Sequence, residues 1–169
     1  YSISSVPSEK NIVELIIRLV PGGICTTFMH EHVSEGDEIT FAGPFGDFYL
    51  RDGADELIFI AGGSGLAPIR SLVLDILEKN LDKKMKFFFG AVRRRDLYYV
   101  DFFQELERKY SNFEYIPALS GAAPEDEWEG ETGLITDVVA RHVPDGVNRQ
   151  AYLCGSPGMI NACVNVLTK

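Results

Sequence analysis

Several things are scarce in this chain of 169 residues. Its three cysteines, Cys25, Cys154 and Cys163, stand far apart and form no CxxC or Cys/His pair with zinc spacing. They could neither staple a small secreted fold nor hold a cluster, and a reducing, cytoplasmic compartment is the natural reading. Basic residues are outnumbered, and the net charge is −9. That disfavours nucleic acid as a partner, because backbone binding there relies on clustered Lys and Arg. It does not disfavour an anionic cofactor, which backbone amides and a helix N-terminus can hold locally. No apolar run approaches the roughly 20 residues a membrane span needs. The opening "YSISSVPSEK" has no basic stretch leading into an apolar one, so it does not read as a signal peptide. It also lacks Met and runs straight into strand-like sequence, as an excised or cleaved fragment would.

What is present is a globular composition, 46% apolar and 24% charged, with a change of texture near residue 52. Before it the chain reads as β. "NIVELIIRLV" is rich in β-branched residues and stops at Pro21-Gly22-Gly23, and "GDEITFAGPFGDFYL" gives two short strand-like pieces broken by glycine and proline. So few strands cannot close a barrel, so residues 1–52 are expected to be part of one. After it, "ELIFIAG", "KMKFFFGAV", "FEYIPALS" and "QAYLCG" alternate with helical patterns over Ile69–Leu81, Tyr99–Tyr110, Ile135–His142 and Met159–Leu167. Strands that are apolar throughout, alternating with helices, predict a parallel sheet covered on both faces. Right-handed crossovers place the strands' C-terminal ends on one edge, where ligands of such sheets bind. The segment "SGAAPEDEWEGETG" is acidic and turn-rich and reads as a surface loop.

Two stretches fall on that edge. In "LIFIAGGSGLAPIR", Gly62, Gly63 and Gly65 allow a sharp strand-to-helix turn and put no Cβ in the way of a phosphate. Pro68 suits the first turn of the helix, and the helix dipole there attracts a pyrophosphate. A tight turn without a ligand is the alternative. The pattern departs from GxGxxG, because Pro68 takes the place of the last glycine. The second stretch, "YLCGSPGM", puts Cys154 and Gly155 at the end of the last strand, where a thiol could contact a planar ring. A small buried cysteine is the competing reading. His30, His32 and His142 could tempt one to assign a base, but "HEH" reads as a solvated helix turn. Trp128 could cover an adenine or pack its loop, and Cys163 reads as core.

The motifs "YS" at 1–2, "GICT" at 23–26, "GPFGDF" at 43–48, "GGSGLAP" at 62–68 and "CGSPGM" at 154–159 occur in one order along nearly the whole chain. In that order they resemble the ferredoxin–NADP reductase family of flavoprotein reductases. "PALSGAAPEDEWEGETGLI" resembles more closely the F subunit of sodium-translocating NADH:quinone oxidoreductases, with the reductase components of multicomponent oxygenases as the next group.

The resemblance implies a ferredoxin reductase-like fold: a partial antiparallel FAD-binding β-barrel over 1–52, then an NAD-binding α/β domain over 53–169. That domain would carry a five-stranded parallel sheet and lack the family's last strand. It implies FAD and NADH as cofactors. Tyr1 would stack on the flavin, Ser2 would bond near its N5, and Gly23, Cys25 and Thr26 would hold its pyrophosphate. Gly62, Gly63, Gly65 and Pro68, with Gly155, Pro157 and Met159, would line the dinucleotide site, with Cys154 beside nicotinamide C4. Arg93 and Asp96, in "GAVRRRDLYY", would meet the adenosine half. The family often has arginine where Val92 stands, so Arg93 or Arg94 would substitute. Ser2 and Cys154 are the residues implied to touch the reacting atoms.

Electrons would leave singly for a 2Fe–2S centre on another domain or on a ferredoxin-like partner. Other subunits of a membrane complex, and attachment through an N-terminal helix outside this chain, belong to the F-subunit reading. A reductase component of an oxygenase and a non-catalytic nucleotide-binding fragment are the alternatives. NADH is expected over NADPH, because Asp96 and the acidic loop oppose a 2′-phosphate.

Overall fold

The computed structural model describes residues 1–169. Its second part is a three-layer α/β/α sandwich. Strand β1 spans Glu56–Gly62, β2 Lys84–Ala91, β3 Phe113–Leu119, β4 Glu131–Thr132 and β5 Arg149–Cys154. All pair in parallel, in the order β4-β3-β2-β1-β5. The expected five-stranded parallel sheet is therefore present. Its β1 matches the predicted run end for end.

The continuous apolar character of β1 has a direct cause. Leu57, Phe59 and Ala61 enter one core with Phe87, Phe89 and Phe103, whereas Ile58 and Ile60 enter the other with Phe88, Val138 and Val139. Alternate side chains point to opposite faces, so a strand covered on both sides has no position free for a polar residue. Helices α2 (Leu66–Glu78) and α3 (Val100–Lys109) cover the first face; α4 (Ile135–His142) and α5 (Pro157–Leu167) cover the second. Cys163 is fully buried in the second core, as its helix-face position suggested.

The chain runs outward from β1 through β2 and β3 to β4, then crosses back to place β5 on the other side of β1. The direction of winding thus reverses between β1 and β5. A crevice opens at such a reversal, beyond the strands' C-terminal ends, because the two flanking connections leave in opposite directions.

Residues 1–52 depart from expectation. They form one helix, α1 (Ile24–Glu31), and a single antiparallel bridge between Ile3 and Leu15, with the Ser4 amide donating to the Glu14 carbonyl at 2.8 Å. The predicted strands in 11–20 and 36–50 make no ladder, so the barrel is represented only by these pieces. Strand propensity is realised through cross-strand pairing, and within these segments only Leu15 is paired, with Ile3. Several of their apolar side chains stay exposed, Ile12 at 58% and Phe45 at 86%. His30 and Glu31 end α1, and His32 caps it, as the solvated helix turn predicted.

The first part is tied to the second through Arg70 of α2. Its guanidinium donates to the Ser4 carbonyl at 2.8 Å and pairs with Glu14 at 3.2 Å. The Ser71 hydroxyl donates to the Ser5 carbonyl at 2.8 Å, and Tyr99 donates to Glu14. This anchorage fixes where Tyr1 and Ser2 come to lie.

Candidate active site

At the reversal point lies a cleft of about 750 Å³, within the usual range for small-molecule and cofactor sites. Its floor is the C-terminal edge of the sheet. Gly62 ends β1 beside Gly90 of β2, and Cys154 ends β5 opposite Ala61. Gly63–Gly65 form a tight turn leading straight into α2, and Ser156 caps α5 by accepting the Met159 amide at 3.3 Å. Two helix N-termini therefore converge on one cleft. Their early amides have no intrahelical partners and their dipoles point positive ends inward, which suits a pyrophosphate.

The glycines of the turn do different jobs. Gly63 has φ +54 and open space around its missing side chain, and its carbonyl accepts a bond from the Tyr98 hydroxyl. Burial pushes the Tyr98 phenol up to about 12, so it remains a donor at neutral pH. Gly65 is buried, and a Cβ there would stand 2.1 Å from the Cys154 carbonyl oxygen. The constraint at Gly65 thus comes from the protein itself, where α2 passes over the end of β5. Sequence alone suggested the ligand as the reason. Met159 packs over Gly62 and Gly155 and closes the floor between the two strands.

The other wall belongs to the first part of the chain. Tyr1, 65% exposed, and Ser2 line the cleft with Ile16 and Arg18. The "YS" and "GICT" motifs lie side by side, and the neighbouring Cys25 side chain raises the Tyr1 phenol. Gly23 precedes α1 as its cap, and Cys25 is exposed in the first turn. The Thr26 hydroxyl is buried and engaged with its own loop, accepting from the Val20 amide and donating to the Val20 carbonyl, each at 3.2 Å. The α1 amides, rather than this hydroxyl, are free to meet an anion.

Of the predicted residues, Tyr1, Ser2, Gly62, Gly63, Gly65, Asp96, Cys154, Gly155 and Met159 line the cleft; Gly23, Cys25, Thr26, Pro68, Arg93 and Pro157 do not. Pro68 sits half-buried in the first turn of α2, and Pro157 opens α5. Cys154 is half-buried, and burial raises its thiol, keeping it neutral. Arg93 is turned away into an ion pair with Asp126 at 2.7 Å and another with Glu125 at 2.5 Å. Trp128 packs its loop, donating to the Glu131 carbonyl at 2.8 Å.

Ser120, at the end of the third strand where the adenosine end was expected, lines the cleft; Arg18 and Ser64 also line it and were not singled out in the sequence. Arg18 has no carboxylate within ion-pair reach. It stands two residues from Ile16, and that period-2 placement on one face of an extended segment is the signal that could have found it.

The Oxidoreductase NAD-binding domain family model matches residues 59–165, and the Oxidoreductase FAD-binding domain model matches residues 1–49. The phenol hydroxylase P5 protein of Acinetobacter pittii is 43% identical over 169 residues, covering 99% of this chain and 48% of that protein. The F subunit of the Na(+)-translocating NADH-quinone reductase of Psychrobacter cryohalolentis is 35% identical over 181 residues, covering 99% of this chain and 44% of that protein. The order of resemblance expected from the segment at 117–135 is thus reversed: identity is higher to the phenol hydroxylase component. Among solved structures, the Amycolatopsis cytochrome P450 reductase GcoB superposes with a TM-score of 0.89 at 30% identity, covering 99% of this chain and 51% of that one. The chain spans about half the length of these relatives.

Proposed function

Because this chain belongs to the ferredoxin reductase-like family of FAD- and NAD-binding oxidoreductases, we propose that its cleft brings NADH and FAD together for hydride transfer and that electrons then leave for an iron–sulfur centre. The observation that carries this reading is the shared cleft itself. Tyr1 and Ser2, matched to the flavin motif, face Gly62–Gly65 and Cys154, matched to the nicotinamide site, across one opening.

Bound there, the two cofactors supply hydride transfer and its division into single electrons. The chain's residues supply position. The turn at Gly63–Gly65, pinned by Tyr98, and the N-termini of α2 and α5 hold the dinucleotide's pyrophosphate. Gly155 and Met159 shape the floor. Cys154, whose thiol burial keeps neutral, would border the nicotinamide without bringing a charge to it. Ser2 offers a hydroxyl donor and Tyr1 a ring face to the flavin, and the α1 amides near Gly23 and Cys25 meet its phosphates. Asp96 and Ser120, which line the cleft beyond the ends of β2 and β3, would meet the adenosine ribose. The reaction needs no general base, and none of the histidines lines the cleft.

The identity to the phenol hydroxylase P5 protein supports a reductase component that feeds an oxygenase through a 2Fe–2S domain or a ferredoxin-like partner. The second reading is the F-type component of a sodium-translocating, quinone-reducing complex, favoured by the segment at 117–135 and by 35% identity. No helix of the structure is long and apolar enough to cross a membrane. Anaerobic titration of the natural full-length protein tests the core proposal: NADH should bleach its flavin absorbance stoichiometrically. A full-length protein that binds no flavin, or a flavin that NADH leaves oxidised, overturns it.

A further inference from the structure

The acidic loop after β3 is built onto the arginine run after β2. Arg93 Nε donates to Asp126 at 2.7 Å and Nη2 to Glu125 at 2.5 Å, and Arg94 Nη1 donates to the Asp126 carbonyl at 2.9 Å. Asp126 also accepts from the amides of Ala123, at 2.9 Å, and of Arg94, at 3.3 Å. Its side chain is only 8% exposed. These bonds hold the Asp126 and Glu125 carboxyls below the usual carboxylate range, led by the Ala123 amide for Asp126 and by the Arg93 guanidinium for Glu125.

Arg93 lies between Val92 and Asp96, both of which line the cleft where β2 ends. It is thus the nearest guanidinium in sequence to that end, and its Nε and one Nη are already occupied. The Asp96 carboxylate accepts from the Arg93 amide at 3.1 Å, which keeps a negative charge facing the same space. Arg95 has no ion pair and does not line the cleft.

We propose that Glu125 and Asp126 determine the choice of NADH over NADPH by holding Arg93 away from the place a 2′-phosphate would occupy. A 2′-phosphate needs a guanidinium free to form charge-assisted bonds. Here the loop's carboxylates take those bonds first, and Asp96 repels what remains. The proposal rests on the dinucleotide reading of the cleft and adds to it the residues that set cofactor class.

Calorimetric titration of this chain with ADP-ribose and with 2′-phospho-ADP-ribose tests it, since neither ligand carries a nicotinamide or requires flavin. Wild type should bind ADP-ribose at least about tenfold more tightly. In Glu125→Gln/Asp126→Asn the gap should narrow by about tenfold, the effect of one regained charge-assisted bond. Adding Arg93→Met should restore the gap, and Arg95→Met alone should leave the wild-type ratio unchanged. Asp126 is largely buried, so the single exposed change Glu125→Gln provides a folded comparison and should narrow the gap to a smaller degree. A ratio unmoved in both acidic variants, or one that follows Arg95 instead of Arg93, overturns the proposal. Failure of wild type to bind ADP-ribose at all overturns the dinucleotide reading as well.

Discussion

Replacing Gly65 by alanine should damage this protein more than any comparable change in the cleft. Gly65 has φ −61, so an alanine would be comfortable in its backbone conformation. The cost comes from space. The added Cβ would lie 2.1 Å from the Cys154 carbonyl oxygen, 2.4 Å from its carbonyl carbon and 2.9 Å from the Gly155 amide nitrogen. Ordinary van der Waals contact begins at 3.4 Å, so at least about 1.3 Å more is needed. The atoms in the way are backbone, so no side-chain rotation relieves them. Either the first turn of α2 lifts from the sheet or the end of β5 moves out of register. Overpacking of this kind costs roughly 1–3 kcal/mol, and more where backbone must yield. A loss of about 3 kcal/mol should lower the melting temperature by roughly 6–12 °C in a domain of this size. A shift of about 1 Å in Cys154 should also slow flavin reduction on the order of a hundredfold. Gly63→Ala gives the contrast. It meets nothing within 4 Å and pays only for its φ of +54, about 1–2 kcal/mol. Scanning calorimetry of both variants measures the difference. Gly65→Ala melting at the wild-type temperature would refute the close approach of α2 to β5.

Cys154→Ala should slow flavin reduction in the natural full-length protein by on the order of a hundredfold while changing NADH affinity little; stopped-flow absorbance separates the two, and an unchanged rate would leave Cys154 as packing only. Acid should weaken the β4 edge. Glu131 is held below the usual carboxylate range, chiefly by Arg141 and then by His142, so its contribution is present above its unfolded value and is lost as pH falls through the depressed one. Thermal melts between about pH 3 and pH 6 should therefore show a downward slope toward acid that Glu131→Gln flattens.

How legible these features were in the sequence depended on what each element packs against. β1 and α4 match their predicted bounds because both are bounded by turn signals and buried on predictable faces. β4 escaped notice because two residues, Glu131 and Thr132, carry no periodicity; the neighbouring strand alone defines them. Residues 11–20 looked like a strand for the converse reason. Their β-branched content signals a strand, yet only Leu15 is paired, with Ile3. In the cleft, residues fixed by motif, such as Cys154 and Gly63, were visible. The commitment of Arg93 to Asp126 was not, because a run of three arginines carries no information about which carboxylates a loop thirty-odd positions later will bring to it.

The reversal of winding also has a consequence in time. β1, β2 and β3 are near neighbours in sequence and can associate early, whereas β5 must return across most of the domain to pair with β1. Pairings that close such long loops form late, because the chain entropy is lost before contacts compensate for it. On a ribosome, too, the residues around Cys154 emerge after β1, β2 and β3. The cleft is therefore incomplete until β5 has paired, because Cys154, Gly155 and Ser156 form part of its lining. Ligand binding reports that the final strand has docked, and a chain stalled before Cys154 would carry nearly all the glycine turn yet be unable to grip what the turn is for.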